Sequence, residues 1–417
     1  MLNGSHLDLA IIGSGPAGLA AAVKAKQKGI RDLVVFERDE RPGGILPQCI
    51  HNGFGLEKLK EDLTGPEYAD RYVKMAEALH IDMELDTMVL EVDKDRTLTA
   101  VSEQRGLRKY HCQSIILAMG CRERPRGAIG IPGTRPAGIF TAGQAQRLVN
   151  IEGYMPGKKI VILGSGDIGM IMARRLTLEG AQVKAVVEIL PYASGLIRNE
   201  VQCLHDFNIP LLLNHTVSEI HGDKRVEGVT IVEVDSAWKH IQGTEQFMDC
   251  DTLLLSVGLI PENELSKMAG VSIDPKTGGS FVNDFLETNV KGIFSCGNVL
   301  HVNDLVDNVS TEGEIAARGA YFRIKGKMPE AKQMISIEGD ETIAQILPQR
   351  IGGARETTFH VRVKRPMNRM TLRLGEIYRK KYGYARPSEM IRFKVPKKAL
   401  HQLDPSITNL TVLCEES

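Results

Sequence analysis

The sequence has no net charge and no long hydrophobic run. Lysine plus arginine and aspartate plus glutamate both number 52, so no overall field favours nucleic acid or an anionic membrane. No apolar segment reaches the length needed to cross a bilayer. The apolar N-terminal stretch is interrupted by Asp8 and leads directly into a glycine-rich turn, which indicates a strand rather than a signal peptide. We therefore expect a cytoplasmic protein without a membrane span or a nucleic-acid partner.

Cysteine is sparse and scattered. The chain has seven cysteines, an odd number, and no two of them are spaced as CxxC. This pattern disfavours a disulfide scaffold and lacks the spacing of a cysteine metal site, so no bound metal is expected. At 417 residues the chain is long enough for two or three domains.

Glycine, in contrast, is arranged in two copies of one motif. Each copy has a GxGxxG turn between an apolar segment and a helical pattern, with a glutamate at the same distance after its first glycine. The first copy consists of Gly13, Ser14, Gly15, Pro16, Ala17, Gly18 and Glu37, and the second of Gly164, Ser165, Gly166, Asp167, Ile168, Gly169 and Glu188. A single GxGxxG is a weak signal, but two copies with matched glutamates predict two dinucleotide sites.

The residue types in this motif suit an adenine dinucleotide. The first glycine permits the tight turn, the second lets the backbone approach a pyrophosphate, and the third lets the helix pack on the strand. The helix N-terminus offers N–H groups and a positive dipole end to the phosphates. The glutamate, at the end of the next strand, can accept hydrogen bonds from ribose hydroxyls.

The segments that follow each motif are repeated as well. Strand-like alternation over residues 81–111 and 211–249 is followed in each half by an apolar strand ending in glycine, at Gly120 and Gly258. A third such strand, ending at Gly297, would make the first domain discontinuous if it rejoined the first sheet. We expect an α/β fold with two Rossmann-like domains, the second inserted into the first, and a small β-rich C-terminal domain.

The expected domain boundaries follow from this repeat. They are 1–124 and 275–330 for the first domain, 125–274 for the second and 331–417 for the β-rich domain. Helical spacing also predicts helices over residues 66–79 and 311–324.

The C-terminal part of the chain has a different pattern. Hydrophobic residues alternate with polar or basic ones in several short segments, which predicts an antiparallel β domain with one buried and one basic face. The hydrophobic positions are Phe359, Val361, Val363, Met370, Leu372, Leu374, Ile391, Phe393, Val395, Leu410, Val412 and Cys414, and the basic ones include Arg362, Lys364, Arg373, Arg392 and Lys394. The basic face is either an ordinary solvated surface or a docking surface for an acidic partner or another subunit.

The order of these motifs resembles that of the two-dinucleotide-binding flavoproteins, the pyridine nucleotide-linked oxidoreductases that include thioredoxin reductase and NADH oxidase. The resemblance covers residues 7–325 and implies that the first motif holds FAD and the second NAD(P)H. Residues 43–55, residues 297–301 and the basic tail are similar to a branch that partners glycerol-3-phosphate dehydrogenase-like or amino-acid-oxidising flavoenzymes. The family's usual Gly-Asp is Gly-Asn here, and the asparagine can still accept a hydrogen bond from the ribityl chain.

The resemblance implies a set of cofactor-binding residues. For FAD they are Gly13, Ser14, Gly15, Pro16, Ala17, Gly18, Glu37, Arg38, Gly44, Ile45, Val89, Ala118, Gly120, Gly297, Asn298, Asp307, Asn308 and Val309. For NAD they are Gly164, Gly166, Asp167, Ile168, Gly169, Glu188 and Gly258. Residues 307–309 are expected to present backbone N–H groups to the flavin, where a helix N-terminus would stabilise negative charge on its reduced form.

The glutamate of the second motif bears on the choice of nicotinamide. Glu188 favours NADH, because a carboxylate accepts a hydrogen bond from a 2′-hydroxyl and repels a 2′-phosphate. Residues 189–194 contain no arginine, but Arg198 lies close enough to keep NADPH as an alternative.

Three residues are candidates for a catalytic role. Cys49 and His51 lie in the segment that the resemblance places near the flavin, where a thiolate could reduce peroxide or contact the flavin. His51 and His301 could also donate to the flavin or move a proton, because the ordinary pKa of histidine is near neutrality. The alternatives are a buried cysteine and structural hydrogen bonds.

Three functions remain open. The first is an FAD-dependent oxidoreductase that moves hydride between NAD(H) and FAD and passes the electrons to an acceptor or a partner flavoenzyme subunit. The second is an electron-transfer and assembly subunit, inactive without its partner, which docks through the tail; the chain could also form a homo-oligomer there. The third is an NADH peroxidase or oxidase that uses Cys49. A relay like that of thioredoxin reductase is disfavoured, because there is no cysteine pair.

Overall fold

The structure is a computed structural model that describes residues 4–329, 333–353 and 355–416. The chain divides into two compact units, Met1–Cys121 with Pro261–Ser417, and Arg122–Ile260. Residues 261–274, which we expected in the second domain, therefore belong to the first unit. Those parts of the expected domains that comprise residues 1–3, 330–332, 354 and 417 lie outside the described residues.

The strands are short and numerous. In chain order they are β1 (Ser5–Ile12), β2 (Leu33–Phe36), β3 (Asn52–Phe54), β4 (Leu63–Thr64), β5 (Asp82–Glu84), β6 (Thr87–Val92), β7 (Thr97–Ser102), β8 (Gly106–Leu117), β9 (Cys121–Glu123), β10 (Ile139–Thr141), β11 (Lys159–Leu163), β12 (Gln182–Glu188), β13 (Leu211–Leu213), β14 (His215–His221), β15 (Gly228–Glu233), β16 (Gln246–Asp249), β17 (Thr252–Leu255), β18 (Leu259–Pro261), β19 (Ile293–Ser295), β20 (Ile335–Gly339), β21 (Ile343–Leu347), β22 (Arg350–Ile351), β23 (Thr357–Val363), β24 (Met367–Leu374), β25 (Tyr378–Ala385), β26 (Ile391–Val395) and β27 (Asn409–Glu416).

The α-helices are α1 (Pro16–Gln27), α2 (Gly65–Ala78), α3 (Arg126–Ile129), α4 (Ala142–Asn150), α5 (Asp167–Leu178), α6 (Ile197–Asn199), α7 (Glu264–Met268), α8 (Val306–Ile324) and α9 (Lys397–His401). Short 3-10 turns lie at Leu46–Gln48, His205–Phe207 and Gly297–Val299, and a π-helical turn at Glu200–Leu204. Among the described residues, no helix combines the length and the apolar character required to cross a membrane.

The first unit is built on a sheet with the order β5-β2-β1-β8-β7-β6. Strand β19 joins this sheet beside β8 in parallel, with Ile293 opposite Ile115. The third glycine-ended strand therefore rejoins the first sheet, which confirms the discontinuous arrangement. Buried apolar residues of β1, α1, α2 and α8 form the core on one face of the sheet.

The second unit repeats the architecture. Its parallel sheet has the order β10-β17-β11-β12-β13, and a separate antiparallel sheet contains β14, β15 and β16. Strand β11 lies between β12 and β17, as β1 lies between β2 and β8 in the first unit. In both units the glycine-rich turn therefore follows a central strand, at the carboxyl edge of the sheet where α/β folds bind ligands.

The C-terminal segments form two further sheets with their own hydrophobic core. Their orders are β22-β20-β27-β24-β25 and β21-β23-β26. All twelve hydrophobic positions predicted to face a core belong to this cluster of buried residues. One pair, β20 with β27, is parallel, so the β-rich region is mixed rather than purely antiparallel.

Two predicted helices differ at their ends. Helix α2 begins one residue earlier than predicted, since Thr64 caps it: the Thr64 Oγ1 accepts from the Glu67 amide, and the Glu67 carboxylate accepts from the Thr64 amide. Helix α8 begins at Val306 instead of residue 311. Its N-cap, Leu305, provides no side-chain cap that the sequence could reveal.

Candidate functional site

The first glycine-rich turn closes tightly between β1 and α1. Gly13 has a φ of +100°, and a Cβ atom there would lie 2.5 Å from the carbonyl oxygen of Ala118. A Cβ atom on Gly18 would lie 1.8 Å from the carbonyl oxygen of Gly13. Gly15 differs, because a Cβ atom there meets nothing within 4 Å. The outer two glycines are therefore required by packing, whereas the middle one borders open space at the helix N-terminus.

Glu37 closes the turn from the end of β2. Its Oε2 accepts hydrogen bonds from the Ser14 amide at 2.8 Å and the Ser14 hydroxyl at 2.6 Å, and its Oε1 accepts from the Asp39 amide at 3.0 Å. Since a carboxylate offers about four acceptor positions, the chain leaves capacity for a ribose hydroxyl. Glu37 is buried, as expected of a residue that also fixes the turn.

Further segments converge on this turn. The Gly43 amide donates to the Ser14 carbonyl at 3.0 Å, and a Cβ atom on Gly44 would lie 2.9 Å from the Gly15 Cα. A Cβ atom on Gly297 would lie 2.8 Å from the Ala17 Cβ. These contacts bring together the segments that the resemblance assigns to FAD.

Gly297, one of the predicted FAD residues, makes close contacts within the first unit. Its amide donates to the Glu312 carboxylate at 2.8 Å, and the space for a side chain is filled by Ala17 and Val309. Gly297 therefore packs against α1 and α8. The neighbouring Asn298 is partly exposed, its Nδ2 donates to Cys121 Sγ at 3.6 Å and its Oδ1 accepts from the Asn303 amide at 3.1 Å, which leaves one acceptor position on Oδ1 for a ligand.

The start of α8 uses its polar side chains within the chain. Asp307 accepts hydrogen bonds from the amides of Glu57 and Lys58, at 3.2 and 3.3 Å. Asn308 accepts from the Arg392 guanidinium. Since these side chains are occupied and α8 has no side-chain cap from Leu305, its backbone N–H groups are what the helix start can offer to a ligand.

The turn of the second unit repeats these contacts. Gly164 has a φ of +96°, and a Cβ atom there would lie 2.2 Å from the Ser256 carbonyl oxygen. Glu188 Oε2 accepts from the Ser165 amide at 2.9 Å and also from the Ser165 hydroxyl. Unlike Glu37, Glu188 accepts a further hydrogen bond on Oε2, from the Ser194 hydroxyl at 3.0 Å. Its Oε1 accepts only from the Leu190 amide, at 3.0 Å, among the described residues, so the capacity for a ribose hydroxyl lies on Oε1.

The second turn is not identical to the first. Ser256 Oγ accepts a hydrogen bond from the Gly169 amide at 3.1 Å, in the first turn of α5. Asp167 begins α5, and its carboxylate accepts from the Leu196 amide at 2.8 Å and the Asn199 side chain at 2.6 Å. Part of the helix N-terminus is thus already bonded within the unit.

The remaining predicted cofactor residues occupy varied positions. Arg38, Gly44 and Ile45 are exposed, and Val89 is buried in β6. Gly120 and Gly258 are equivalent, with φ of +75° and +100°, and both adjoin open space. The predicted Pro16 and Ile168 lie in the first turns of α1 and α5.

Cys49, the candidate nucleophile, lies just after the Leu46–Gln48 turn. Burial raises the pKa of the Cys49 thiol to about 12, so at neutral pH it is protonated and weakly nucleophilic. Its Sγ donates to the Ile45 carbonyl at 3.4 Å. The His51 ring lies 3.0 Å from the Asn52 carbonyl oxygen and packs near Phe54. These contacts favour the alternative of a packed thiol in the loop before α2, and the catalytic role of Cys49 stays a prediction.

His301 is likewise not on an open surface. It is fully buried, and its Nε2 lies 2.6 Å from Glu312 Oε1. The His360 ring stacks on it with centroids 5.5 Å apart, and His360 Nδ1 lies 3.6 Å from the same Glu312 oxygen. Burial lowers the pKa of His360 to about 4, and His301, His360 and the Gly297 amide hold the pKa of Glu312 below its ordinary value despite its burial. These contacts favour the alternative of structural hydrogen bonds, and the flavin-edge role of His301 stays a prediction.

Part of the basic face of the tail forms ion pairs within the first unit. Arg362 pairs with Asp304, and Arg392 pairs with Glu57. The Asp304 carboxylate also accepts from the Met390 amide at 2.6 Å. These two arginines therefore hold the C-terminal sheets against the start of α8 and do not form a free docking face.

The fold defines a protein with one nucleotide-binding unit inserted into another. Residues 7–315 match the family described as Pyridine nucleotide-disulphide oxidoreductase, and the chain belongs to this family. Members of the family bind FAD and use NAD(P)H as substrate. The predicted resemblance and fold class are confirmed.

Three comparisons show what the chain is similar to. It is 27% identical over 285 residues to hydrogen cyanide synthase subunit HcnB of Pseudomonas aeruginosa, covering 63% of this chain and 59% of that protein. It is 27% identical to thioredoxin reductase of Bacillus subtilis, covering 76% of this chain and 95% of that protein. The structure of T. acidophilum thioredoxin reductase has the same fold, with a TM-score of 0.63 at 23% identity, covering 76% of this chain and 98% of that one. The chain spans about three fifths of the length of HcnB.

The first unit fits FAD on its own geometry. The space beside Gly15 is open, and the α1 N-terminus begins with Gly15 in an extended conformation. Glu37 retains acceptor capacity. Sequence reasoning missed Glu312 and His360, since neither belongs to a recognisable motif and only the fold brings them together.

Proposed function

We propose that the chain is an FAD-dependent oxidoreductase that transfers hydride between NAD(H) and FAD and delivers the electrons to an acceptor outside the chain. The observation that carries this proposal is that both units contain the same glycine-rich turn, closed by a glutamate in the same way. In each unit a serine amide and hydroxyl bind one glutamate oxygen, while the other oxygen keeps capacity for a ribose. FAD, when bound, supplies the hydride acceptor.

Residues of the first unit would hold FAD. The Gly15 backbone and the α1 N-terminus would bind the pyrophosphate, and Glu37 the ribose. Asn298 and the backbone N–H groups at the start of α8 would bind the flavin portion. In the second unit, Glu188 and the α5 N-terminus would bind the nicotinamide dinucleotide.

The preference for NADH rests on Glu188. It is buried at the end of β12 and held by the Ser165 and Leu190 amides, so it cannot turn away from an added phosphate without losing these bonds. A 2′-phosphate would face a fixed negative charge. Arg198 is exposed on the short helix α6 and is the residue through which NADPH would be accommodated.

The acceptor is proposed to lie on another protein. The printed sequence has no CxxC pair. Burial raises the pKa of Cys49 and Cys112 to about 12, so these thiols are poor relays. One relative is named as a subunit of hydrogen cyanide synthase, which supports another subunit as the acceptor or donor.

An anaerobic titration tests the central proposal. Deflavo protein is loaded with FAD, and NADH and NADPH are added in separate experiments while the visible flavin band is followed. We expect stoichiometric bleaching by NADH and a lower efficiency with NADPH. Protein that binds no FAD, or a bound flavin that neither nucleotide reduces, would contradict the proposal. A preference for NADPH would contradict the argument that Glu188 selects NADH.

A second candidate, an electron-transfer and assembly subunit inactive alone, is supported by the edge strand β25. It lies at the end of its sheet and exposes Arg379, Lys380 and Lys381. Removing the whole tail is a poor test, because Arg362 and Arg392 anchor the tail to the first unit. Reversing the charge of Lys380 and Lys381 should abolish copurification with a partner and spare FAD binding, whereas retained association would oppose this candidate.

A further inference from the structure

A buried group of two histidines and one glutamate lies behind the first glycine-rich turn, where Glu312 accepts a hydrogen bond from the Gly297 amide at 2.8 Å. His301 follows the Gly297–Val299 turn, Glu312 belongs to α8 and His360 to β23. The three offer ligand atoms that all lie within 4.8 Å of one another. None of the three exposes more than 8% of its surface. The group therefore joins the C-terminal sheets to the nucleotide-binding part of the first unit.

The donor set is that of a transition-metal site. Two imidazoles and one carboxylate, with a fourth position left to water, are a combination that zinc and related divalent ions accept. Tetrahedral zinc with bonds of about 2.0–2.1 Å requires donor atoms about 3.3 Å apart. His360 Nδ1 and Glu312 Oε1 are 3.6 Å apart, near that value. His301 Nε2 and Glu312 Oε1 are at hydrogen-bond distance, 2.6 Å, where a metal ion would replace the shared proton.

Two further observations describe the surroundings of the group. The second ring nitrogen of His301, Nδ1, is buried and has no hydrogen-bond partner among the described residues. A cavity with a volume of about 20 Å³, lined in part by Glu312 and His360, adjoins the group. A single water needs about 10–15 Å³, so the cavity can supply the water of a fourth ligand position.

We propose that His301, Glu312 and His360 bind one divalent transition-metal ion of the zinc class, which fastens the C-terminal sheets to helix α8. On binding, the metal forms bonds to the three side chains and displaces the proton between His301 and Glu312 to solvent; no electron is transferred. Glu312 Oε2 stays on the Gly297 amide, so the ion also fixes the turn that follows β19. The site is independent of the hydride-transfer proposal.

Metal retention by the full chain tests the site. Protein without a histidine tag is stripped with chelator, incubated with Zn²⁺, desalted and measured by elemental analysis; Co²⁺ is used as a spectroscopic probe. We expect one equivalent of zinc, tetrahedral cobalt bands in deflavo protein and a zinc-dependent rise in Tm. His360→Gln and Glu312→Gln should weaken zinc binding by more than the ~10–100-fold that loss of a mere supporting residue costs.

A second histidine pair provides the matched control. His6 and His111 are exposed, with rings 5.5 Å apart, and could collect zinc adventitiously. His111→Gln should leave zinc retention unchanged, whereas loss of zinc in this variant would overturn the assignment. Should His360→Gln fail to fold, His360→Cys keeps a zinc ligand and should show a sulfur-to-cobalt charge-transfer band. Wild-type protein that retains no zinc and gains no Tm refutes the site outright. None of these readouts depends on flavin reduction.

Discussion

Gly15→Ala separates ligand binding from folding at the first glycine-rich turn. Gly15 is the N-cap of α1 with φ of −67°, which alanine adopts without strain, and its Cβ would meet no atom within 4 Å. Alanine is a poorer N-cap than glycine, but it also reduces the entropy of the unfolded chain, which stabilises a protein by about 0.4–1 kcal/mol. The free energy of unfolding of deflavo protein should therefore change by less than about 1 kcal/mol.

The same methyl group should oppose FAD binding. If the pyrophosphate passes over Gly15, the added methyl lies in its path, and overpacking of this kind costs about 1–3 kcal/mol. That penalty corresponds to a Kd for FAD raised about 5- to 150-fold. The assay is a fluorescence titration of deflavo protein with FAD, combined with thermal unfolding of the same sample without ligand.

Two other glycines serve as controls. In Gly18→Ala the new Cβ would lie 1.8 Å from the Gly13 carbonyl oxygen, so deflavo protein itself should lose stability. Gly166→Ala, in the second unit, should spare FAD binding. Wild-type affinity for FAD in Gly15→Ala would refute the placement of the pyrophosphate over Gly15. An unfolded deflavo Gly15→Ala would refute the inference that the chain leaves room for a methyl group at this position.

Three further substitutions test other assignments. Cys49→Ser should leave NADH oxidation and peroxide consumption within about twofold of wild type, because the thiol is protonated at neutral pH; a larger fall would restore its catalytic role. Glu188→Gln should raise the KM for NADH by tens of fold, as expected from about 1.5–3 kcal/mol for a hydrogen bond to a charged group, while FAD content, measured spectroscopically, stays the same; an unchanged KM would oppose ribose binding there. Arg392→Ala should lower FAD affinity in a titration by releasing Asn308 at the start of α8, whereas Lys394→Ala should not; equal affinities would separate the tail from the flavin site.

The local parts of the fold were predictable from the sequence. The two turns, their flanking strands and the alternating tail strands depend on the chemistry of neighbouring residues, such as Gly13 in a left-handed conformation and Phe359, Val361 and Val363 on one face of β23. The two matched glutamates, Glu37 and Glu188, could also be identified from the sequence. Their hydrogen bonds to Ser14 and Ser165 explain why the interval between turn and glutamate is the same in both copies.

Features that depend on distant residues were not predictable. The pKa of Cys49 follows from burial, which only tertiary packing determines. The role of Arg392 was missed because its partners, Glu57 and Asn308, lie in separate parts of the sequence. The contacts of His301 with Glu312 and His360 were missed for the same reason, since these two residues share no motif with it.

The two glycine-rich turns differ at one position, and this difference affects how tightly each turn should bind its dinucleotide. Ser256 Oγ accepts from the Gly169 amide, and the equivalent residue in the first unit, Ala118, has no hydroxyl. A phosphate at α5 must therefore compete with an existing hydrogen bond, whereas one at α1 does not, which suits a transient nicotinamide and a retained flavin. Ser256→Ala should lower the Kd for NAD⁺ about fivefold, from about 1 kcal/mol for one hydrogen bond, measured by calorimetry. The reciprocal substitution, Ala118→Ser, should weaken FAD binding. If Ser256→Ala instead bound NAD⁺ more weakly than wild type, the serine would assist the ligand and not compete with it.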